Sequence, residues 1–383
     1  MGKRIPFNYY KISVWQKLEI MFHWFFLRRL SGDGKWGRKV EEYLENTYQP
    51  SKVLLTSSCS GALDICSRLI AHKGKDEIIV PAFTFPTSVS LFADKGFVIK
   101  FCEIDSSNFS LDPKRVKELI CDRTCAIVVT NYGGINPQID VIKQISNQAG
   151  IFLIEDNAQG IFSKNGGKLL GTFGDLSVIS FHETKNISCG EGGAVIVNNQ
   201  DLLKKAIRIR DKGTNRREFE NQIVNKYQWV ENGSNYFLSE FSSLILYFQL
   251  VSAKKRLKKR KKIWIRYFDF LTKLEHKGLF SLPNMEDFDD SNYHLFYLKF
   301  ELGSDQKLFI KFMDDRNIST PFHYQNLATS SMAKTLSINN LNLKITDDLS
   351  ERIVRLPLFD DLKFFEQKKV LNSIRGFVHL YRR

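Results

Sequence analysis

One lysine in this 383-residue chain stands in company that suits covalent chemistry. Lys185 lies in the run Ser180-Phe181-His182-Glu183-Thr184-Lys185-Asn186, which leads from an apolar strand pattern into a turn, with Gly190, Gly192 and Gly193 following. A lysine becomes an imine-forming nucleophile when it is shielded and set among apolar or positive surroundings, because its neutral form is then accessible. Taken alone, a lysine at a turn is more often a solvated surface residue. A second element, Ile154-Glu155-Asp156-Asn157-Ala158-Gln159-Gly160, ends an apolar strand with an acid and, three residues on, an amide. Such an acid ordinarily caps the next helix. Beside a nitrogen heterocycle it would instead keep the ring protonated. Pyridoxal 5′-phosphate (PLP) needs both groups, an amine to hold it and a carboxylate at its pyridine nitrogen so that the ring acts as an electron sink. Asp156 suits the second task, and Gln159, one helical turn later, could donate to the ring's phenolic oxygen.

Two further stretches gain meaning only beside these. Thr56-Ser57-Ser58-Cys59-Ser60-Gly61-Ala62-Leu63 is a small-residue turn between a strand and a helix. Its backbone N–H groups and the positive helix end would receive a phosphate, although many strand-to-helix turns look alike. Pro81-Ala82-Phe83-Thr84-Phe85 puts aromatics at a strand end, where a ring stacks on a planar cofactor or simply packs in the core.

In order and spacing these four elements resemble the sugar aminotransferases of the DegT/DnrJ/EryC1/StrS family, over nearly the whole chain. Gly32-Asp33-Gly34, Lys-Val-Leu-Leu-Thr (52 to 56), the 180–186 run, Asp-Lys-Gly-Thr-Asn-Arg (211 to 216) and Arg-Leu-Pro-Leu-Phe (355 to 359) further resemble one subgroup, the dTDP-4-amino-4,6-dideoxygalactose transaminases. The resemblance implies a type I PLP-transferase fold. It implies that Lys185 is the Schiff-base lysine, Asp156 pairs with the pyridine nitrogen, Gln159 contacts the phenolic oxygen and Phe85 stacks on the ring. Ser180, with backbone at Ser60 and Gly61, would bind the phosphate, and Gly32, Asp33, His323 and Tyr324 would face the sugar. The implied reaction carries the amino group of L-glutamate to the 4-keto carbon of dTDP-4-keto-6-deoxy-D-glucose. The implied assembly is a homodimer in which the loop around 213–235 reaches the neighbouring site.

The elements that must position these residues are legible as alternation. Apolar runs at Lys52 to Thr56, Glu77 to Val80, Val98 to Ile104, Ala126 to Asn131, Ile151 to Glu155, Leu176 to Phe181 and Ala194 to Val197 predict strands. Helical patterns at Gly61 to His72 and Pro113 to Ile120, the latter capped by Asp112, fall between them. This α/β alternation predicts a mainly parallel sheet covered on both faces, with chemistry at the carboxyl ends of its strands. After about Leu250 the texture changes to a long basic helix, a turn at Pro283 to Asp290, a strand at His294 to Phe300 and a helix at Asp305 to Asp315. The expected division is a large α/β domain over 1–250 and a smaller α+β domain over 251–383.

Composition narrows the alternatives. At 43% hydrophobic and 26% charged, the chain reads as an ordinary globular protein with enough length for a large core. Six scattered cysteines without CxxC spacing or a histidine cluster read as buried thiols in a reducing cytoplasm, with no metal site expected. The net charge of +14 raises nucleic acid as a partner, but the run from Lys254 to Lys262 is flanked by Leu250, Val251, Ile263 and Trp264 and reads as the solvated side of a helix. The aromatic stretch from Trp15 to Leu27 is interrupted by Lys17, Glu19 and His23 and is too short to span a bilayer; packing against the body or a second subunit is expected. A sugar dehydratase of related type would replace the lysine with histidine. A basic surface-binding protein would have no use for Lys185, Asp156 and Gln159 together.

Overall fold

The computed structural model describes residues 4–71, 74–275, 278–336 and 342–381. The predicted apolar runs form β1 (Lys52–Thr56), β2 (Glu77–Pro81), β3 (Val98–Cys102), β4 (Thr124–Thr130) and β5 (Phe152–Asp156). A two-residue hairpin, β6 (Lys164–Asn165) and β7 (Lys168–Leu169), follows, and then β8 (Leu176–Ser180) and β9 (Gly193–Val197). Apart from the hairpin they make one seven-stranded sheet in the order β1-β9-β8-β5-β4-β2-β3. Only β9 runs against the rest, pairing antiparallel with both β1 and β8, so the sheet is mainly parallel. Central strands β4, β8 and β9 are buried at every position, which their continuous rather than alternating hydrophobic runs anticipate.

Some boundaries differ from expectation. The run expected to reach Ile104 stops at Cys102, because Ile104 forms an isolated bridge with Leu111 instead. The first predicted helix begins at Cys59, two residues early, since Ser58 caps it by accepting from Gly61 N; it ends at Leu69, and His72 lies outside the described residues. The expected strand from His294 begins only at Tyr297. Arg260 donates to the carbonyls of Tyr293 and His294, and Trp264 Nε1 to that of Leu295. Those carbonyls are therefore taken by side chains rather than by a neighbouring strand.

The helices are α1 (Val14–Phe25), α2 (Lys35–Thr47), α3 (Cys59–Leu69), α4 (Thr87–Ala93), α5 (Pro113–Leu119), α6 (Ile139–Ala149), α7 (Leu203–Arg210), α8 (Arg216–Glu220), α9 (Glu240–Val251) and α10 (Ala253–Glu275). In α1, Gln16 and Ile20 are buried, and Gln16 donates to Phe248 O at the end of α9. Its opposite face presents Val14, Trp15, Leu18, Met21, Phe22 and Phe25 to the outside. The aromatic stretch thus meets the body of the protein along one side only. In α10 the expected solvated side holds for Lys254, Lys255, Lys258 and Lys259. Arg256 and Arg260 depart from it: both are buried, Arg256 on Asp360 at 2.8 Å. The segment around 213–235, expected to reach a neighbouring site, carries α8 and is tied at its base, where Lys212 N donates to Ser234 O. Gly213, at φ +74°, has Glu231 O where a Cβ would sit, so no other residue fits.

Beyond α10, β10 (Phe280–Ser281), β11 (Tyr297–Phe300) and β12 (Ile353–Arg355) form a small antiparallel sheet packed by helices Gly303–Asp314 and Phe364–Leu380. Its apolar core also takes in Phe83, Phe109 and Tyr132 from the large-sheet side, together with Ile5. Ile5 bridges Ile318, and Leu358 N donates to Phe7 O, so the N-terminal arm lies along the small sheet and reaches the seam between the two parts.

Candidate active site

The carboxyl ends of β2, β4, β5 and β8, the start of α3 and the edge of the small sheet enclose a cavity of about 470 Å³. Its lining includes Ser60, Phe85, Asp156, Gln159, Ser180, Lys185, His323 and Tyr324, so eight of the residues singled out from the sequence meet in one place. The other three do not line it. Gly61 lies just beyond, its N–H donating to Ser58 Oγ at 3.0 Å. Gly32 is pressed against Phe237 and Leu238 O. Asp33, at φ +65°, binds Arg216 and Arg217 at 2.7 and 2.8 Å, which makes it a structural anchor for α8 rather than an open group in this chain.

Lys185 sits where the turn after β8 folds back, its N–H donating to His182 O. Among the described residues no hydrogen bond or ion pair holds its Nζ. Burial lowers its pKa from the ordinary lysine value and nearby Arg355 adds to that, while Cys59 and Asp156 pull the other way. A neutral amine in a shielded cavity is what imine formation requires.

Asp156 is buried at the last position of β5. Ser88, from α4, donates to its Oδ2 at 2.5 Å and Ala158 N to its Oδ1 at 3.2 Å. Burial nevertheless raises its pKa against those donors and against Lys185. A cation beside it would restore the charged form. Its neighbour Glu155 points into the opposite side of the strand, where the N–H groups of Gly171, Phe173 and Gly174 satisfy it. Sequence order alone placed two acids together; the strand's alternation gives one to the cavity and one to the loop behind it.

Gln159 bridges the two parts of the molecule. Its Oε1 accepts from Gly133 N and its Nε2 donates to Tyr324 Oη, both at 2.8 Å. One N–H of that amide remains for another acceptor. Tyr324 in turn meets Phe83 and Phe85 edge-on. Phe85 is 54% exposed although it belongs to a strand-end turn, an apolar ring open to the cavity. Ser180, buried at the end of β8, and Ser60, in the first turn of α3, close the far end. His323 is buried with its Nδ1 3.2 Å from Tyr132 Oη.

The donor set fits PLP. A free amine, a carboxylate without a cationic partner, an open aromatic face and a helix N-terminus with hydroxyls line one cavity of ordinary ligand size. Among the lining residues to which the sequence reading gave no role are Ser88, His294 and Arg355. Ser88 follows Phe85 by one turn but has no motif of its own. His294 precedes β11, and Arg355 is the last residue of β12. Arg355 heads a run that served the family resemblance but suggested no role.

Comparison with known proteins agrees with this geometry. The DegT/DnrJ/EryC1/StrS aminotransferase family matches residues 28–375. The chain is 27% identical over 346 residues to the 3-oxo-glucose-6-phosphate:glutamate aminotransferase of Bacillus subtilis, covering 89% of this chain and 75% of that protein. In fold it is similar to Helicobacter pylori PseC, an aminotransferase involved in the biosynthesis of pseudoaminic acid, with TM-score 0.91, 22% identity and coverage of 99% of this chain and 100% of that one. It is also similar to the NtdA protein of Bacillus subtilis with bound pyridoxamine phosphate, with TM-score 0.85, 24% identity and coverage of 96% and 83%. The chain belongs to the DegT/DnrJ/EryC1/StrS aminotransferase family and is a PLP-dependent sugar aminotransferase.

Proposed function

We propose that this cavity transfers the amino group of L-glutamate to the 4-keto carbon of dTDP-4-keto-6-deoxy-D-glucose, giving dTDP-4-amino-4,6-dideoxy-D-galactose for surface polysaccharide synthesis. The observation that carries the transfer chemistry is a half-buried Lys185 amine, unbonded among the described residues, in the same cavity as the Asp156 carboxylate. The choice of sugar rests on the subgroup runs at 32–34, 52–56, 180–186, 211–216 and 355–359.

When bound, PLP supplies the electron sink that lets a C–H bond beside nitrogen break. Lys185 is the residue that would hold it covalently, and its amine, when free, would take up and return the proton at the substrate carbon. Asp156, braced by Ser88, would keep a positive charge at the ring nitrogen. Gln159 would offer its remaining N–H to the phenolic oxygen, Phe85 would cover the ring face, and Ser180 with backbone at Ser60 and Gly61 would receive the phosphate. Gly32, Asp33, His323 and Tyr324 belong to the sugar side, the first two in a homodimer where segment 213–235 meets the neighbouring subunit.

A second reading has a specific observation behind it, since the Bacillus relative is named for a 3-oxo sugar phosphate that carries no nucleotide. Incubation with PLP, L-glutamate and a panel of dTDP-, UDP- and GDP-linked keto sugars plus 3-oxo-glucose-6-phosphate separates the two. The expected product is the 4-amino galacto sugar on dTDP, identified by NMR. Amination of the sugar phosphate alone would replace the first reading by the second.

A further inference from the structure

The transfer chemistry makes no use of α1, which is held firmly on its inner side. Ser13 and Gln16 close a capping box at its start, and Gln16 Nε2 donates to Phe248 O at 2.9 Å and to Ser252 Oγ at 3.1 Å. At the other end the rings of Trp24 and Phe241 meet at 6.4 Å, so α1 lies antiparallel along α9 as a formed helix. At about 100° per residue, Gln16, Ile20 and His23 share the inner side, whereas Val14, Trp15, Leu18, Met21, Phe22 and Phe25 fall in an outer arc of about 120°. Trp15, Phe22 and Phe25 are 70%, 61% and 84% exposed. Phe26 continues this face past the helix, its ring 5.3 Å from that of Phe22. A contiguous apolar face of this kind marks a contact surface.

The margin of that face is basic. Lys17 is exposed on one flank of the arc, and Glu19, on the other, is the one acid between positions 14 and 30 and has His23 as its partner at 3.8 Å. Past the helix end Arg28 and Arg29 are exposed. Beside the helix start, Arg256 of α10 donates to Lys11 O, and Lys255 and Lys259, within one turn of it, are exposed. We propose that the outer face of α1 docks the enzyme in the plane of an anionic phospholipid surface. No described helix is long and apolar enough to cross a membrane, but a helix lying in the headgroup boundary needs only one apolar side with cations along its margin. Tryptophan suits that boundary, because its ring is apolar and carries a single N–H. The net charge of +14 draws the whole chain to a negative surface. A second copy of this chain on the same face would instead bring two basic margins together, and like charges oppose that contact. The helix is already folded on α9, so docking carries no cost of folding it.

The test is co-sedimentation of the PLP-loaded enzyme with vesicles of phosphatidylethanolamine and phosphatidylglycerol, and with vesicles of phosphatidylcholine alone. We expect binding to the anionic vesicles that is weaker by about tenfold or more on phosphatidylcholine and that falls as salt is raised. Bromine-labelled acyl chains should quench the tryptophan emission of the wild type, and much less that of Trp15→Phe with Trp24→Phe, since Trp36 and Trp264 are buried. Phe22→Ser with Phe25→Ser should weaken binding by about 30-fold or more, and Lys17→Glu with Arg28→Glu by about tenfold or more. The thermal midpoint and the glutamate half-reaction without vesicles should stay level in each variant, because the changed side chains are exposed. A wild-type enzyme that ignores anionic vesicles overturns the proposal. Binding that both the serine and the glutamate variants retain puts the contact elsewhere on the basic surface and overturns it as well. If vesicle binding is absent and Phe22→Ser with Phe25→Ser splits a larger assembly by light scattering, the face joins copies of this chain and the proposal fails. None of these readouts uses a keto sugar, so the outcome is separate from the fate of the functional reading.

Discussion

The two walls of the cavity satisfy their polar groups differently. On the large-sheet wall, Asp156 accepts from Ser88 and Ala158, Gln159 is held between Gly133 and Tyr324, and Thr84 meets Thr130 at 2.9 Å. On the small-sheet wall, His294 and His323 are tied to Asn186 and Tyr132, but Arg355 has no anion among the described residues. A wall whose groups are fixed before anything binds suits a resident cofactor, because no reorganisation is needed when it reacts. A wall with an unanswered charge suits a ligand that arrives and leaves.

Removing the covalent anchor should break the first wall most completely. Lys185→Ala is expected to abolish the imine absorbance that borohydride fixes on this residue and to lower turnover by about 10³-fold or more. Its far-UV circular dichroism should be unchanged, since Nζ makes no bond that holds the fold. Turnover near the wild-type rate in this variant would take the nucleophile away from Lys185.

Asp156→Asn separates charge from shape. Asparagine can still accept from Ser88, so the loss is electrostatic and should reach about 100-fold in turnover. The cofactor-free protein should respond in the opposite sense. Its carboxyl has a raised pKa in the folded state, so ionisation costs stability as pH rises above the ordinary 3.8 and through the folded value. The variant should therefore unfold at an equal or higher temperature than wild type at pH 7, with the difference vanishing near pH 3. A cofactor-free variant that melts well below wild type at pH 7 would mean that the carboxylate braces the fold.

The smallest effect concerns the second wall. His294 and His323 both have pKa values pushed well below 6.5, first by burial; then Lys185, Arg260 and Arg355 act on His294, and Arg355, Lys185 and His294 on His323. Below pH 6.5 the unfolded chain takes up protons that the folded one refuses, so stability falls as pH drops, by at most about 1.4 kcal/mol per pH unit for each histidine. His323→Gln should flatten that decline in urea titrations between pH 6.5 and 5. An unchanged slope would show that its ring is protonated in the folded protein and that the wall is wetter than described.

The large-sheet wall was readable from the chain because each of its members lies within a few residues of a strand end. An apolar run followed by a turn places that turn at the sheet's carboxyl edge, so local pattern brings Asp156, Ser180 and Lys185 to one edge, while their roles came from their company and the family resemblance. Gly32 and Asp33, expected at the sugar, lie outside the cavity within one chain, against Phe237, Leu238, Arg216 and Arg217. Arg256 and Arg260 looked solvated within a lysine run, but at helical spacing they fall on the side that packs inward.

Strand periodicity and turn composition thus dictated the sheet, its polarity and which turns lie at its carboxyl edge, since these depend on residues close along the backbone. Ser88 reaching Asp156, the N-terminal arm bringing Phe7 to Arg355, and the small sheet carrying His294 and Arg355 to Lys185 depended on how separate elements pack. A side chain's lack of a partner is a property of everything around it in space. No stretch of residues announces it, and only the assembled core leaves Nε of Arg355 without a hydrogen bond among the described residues.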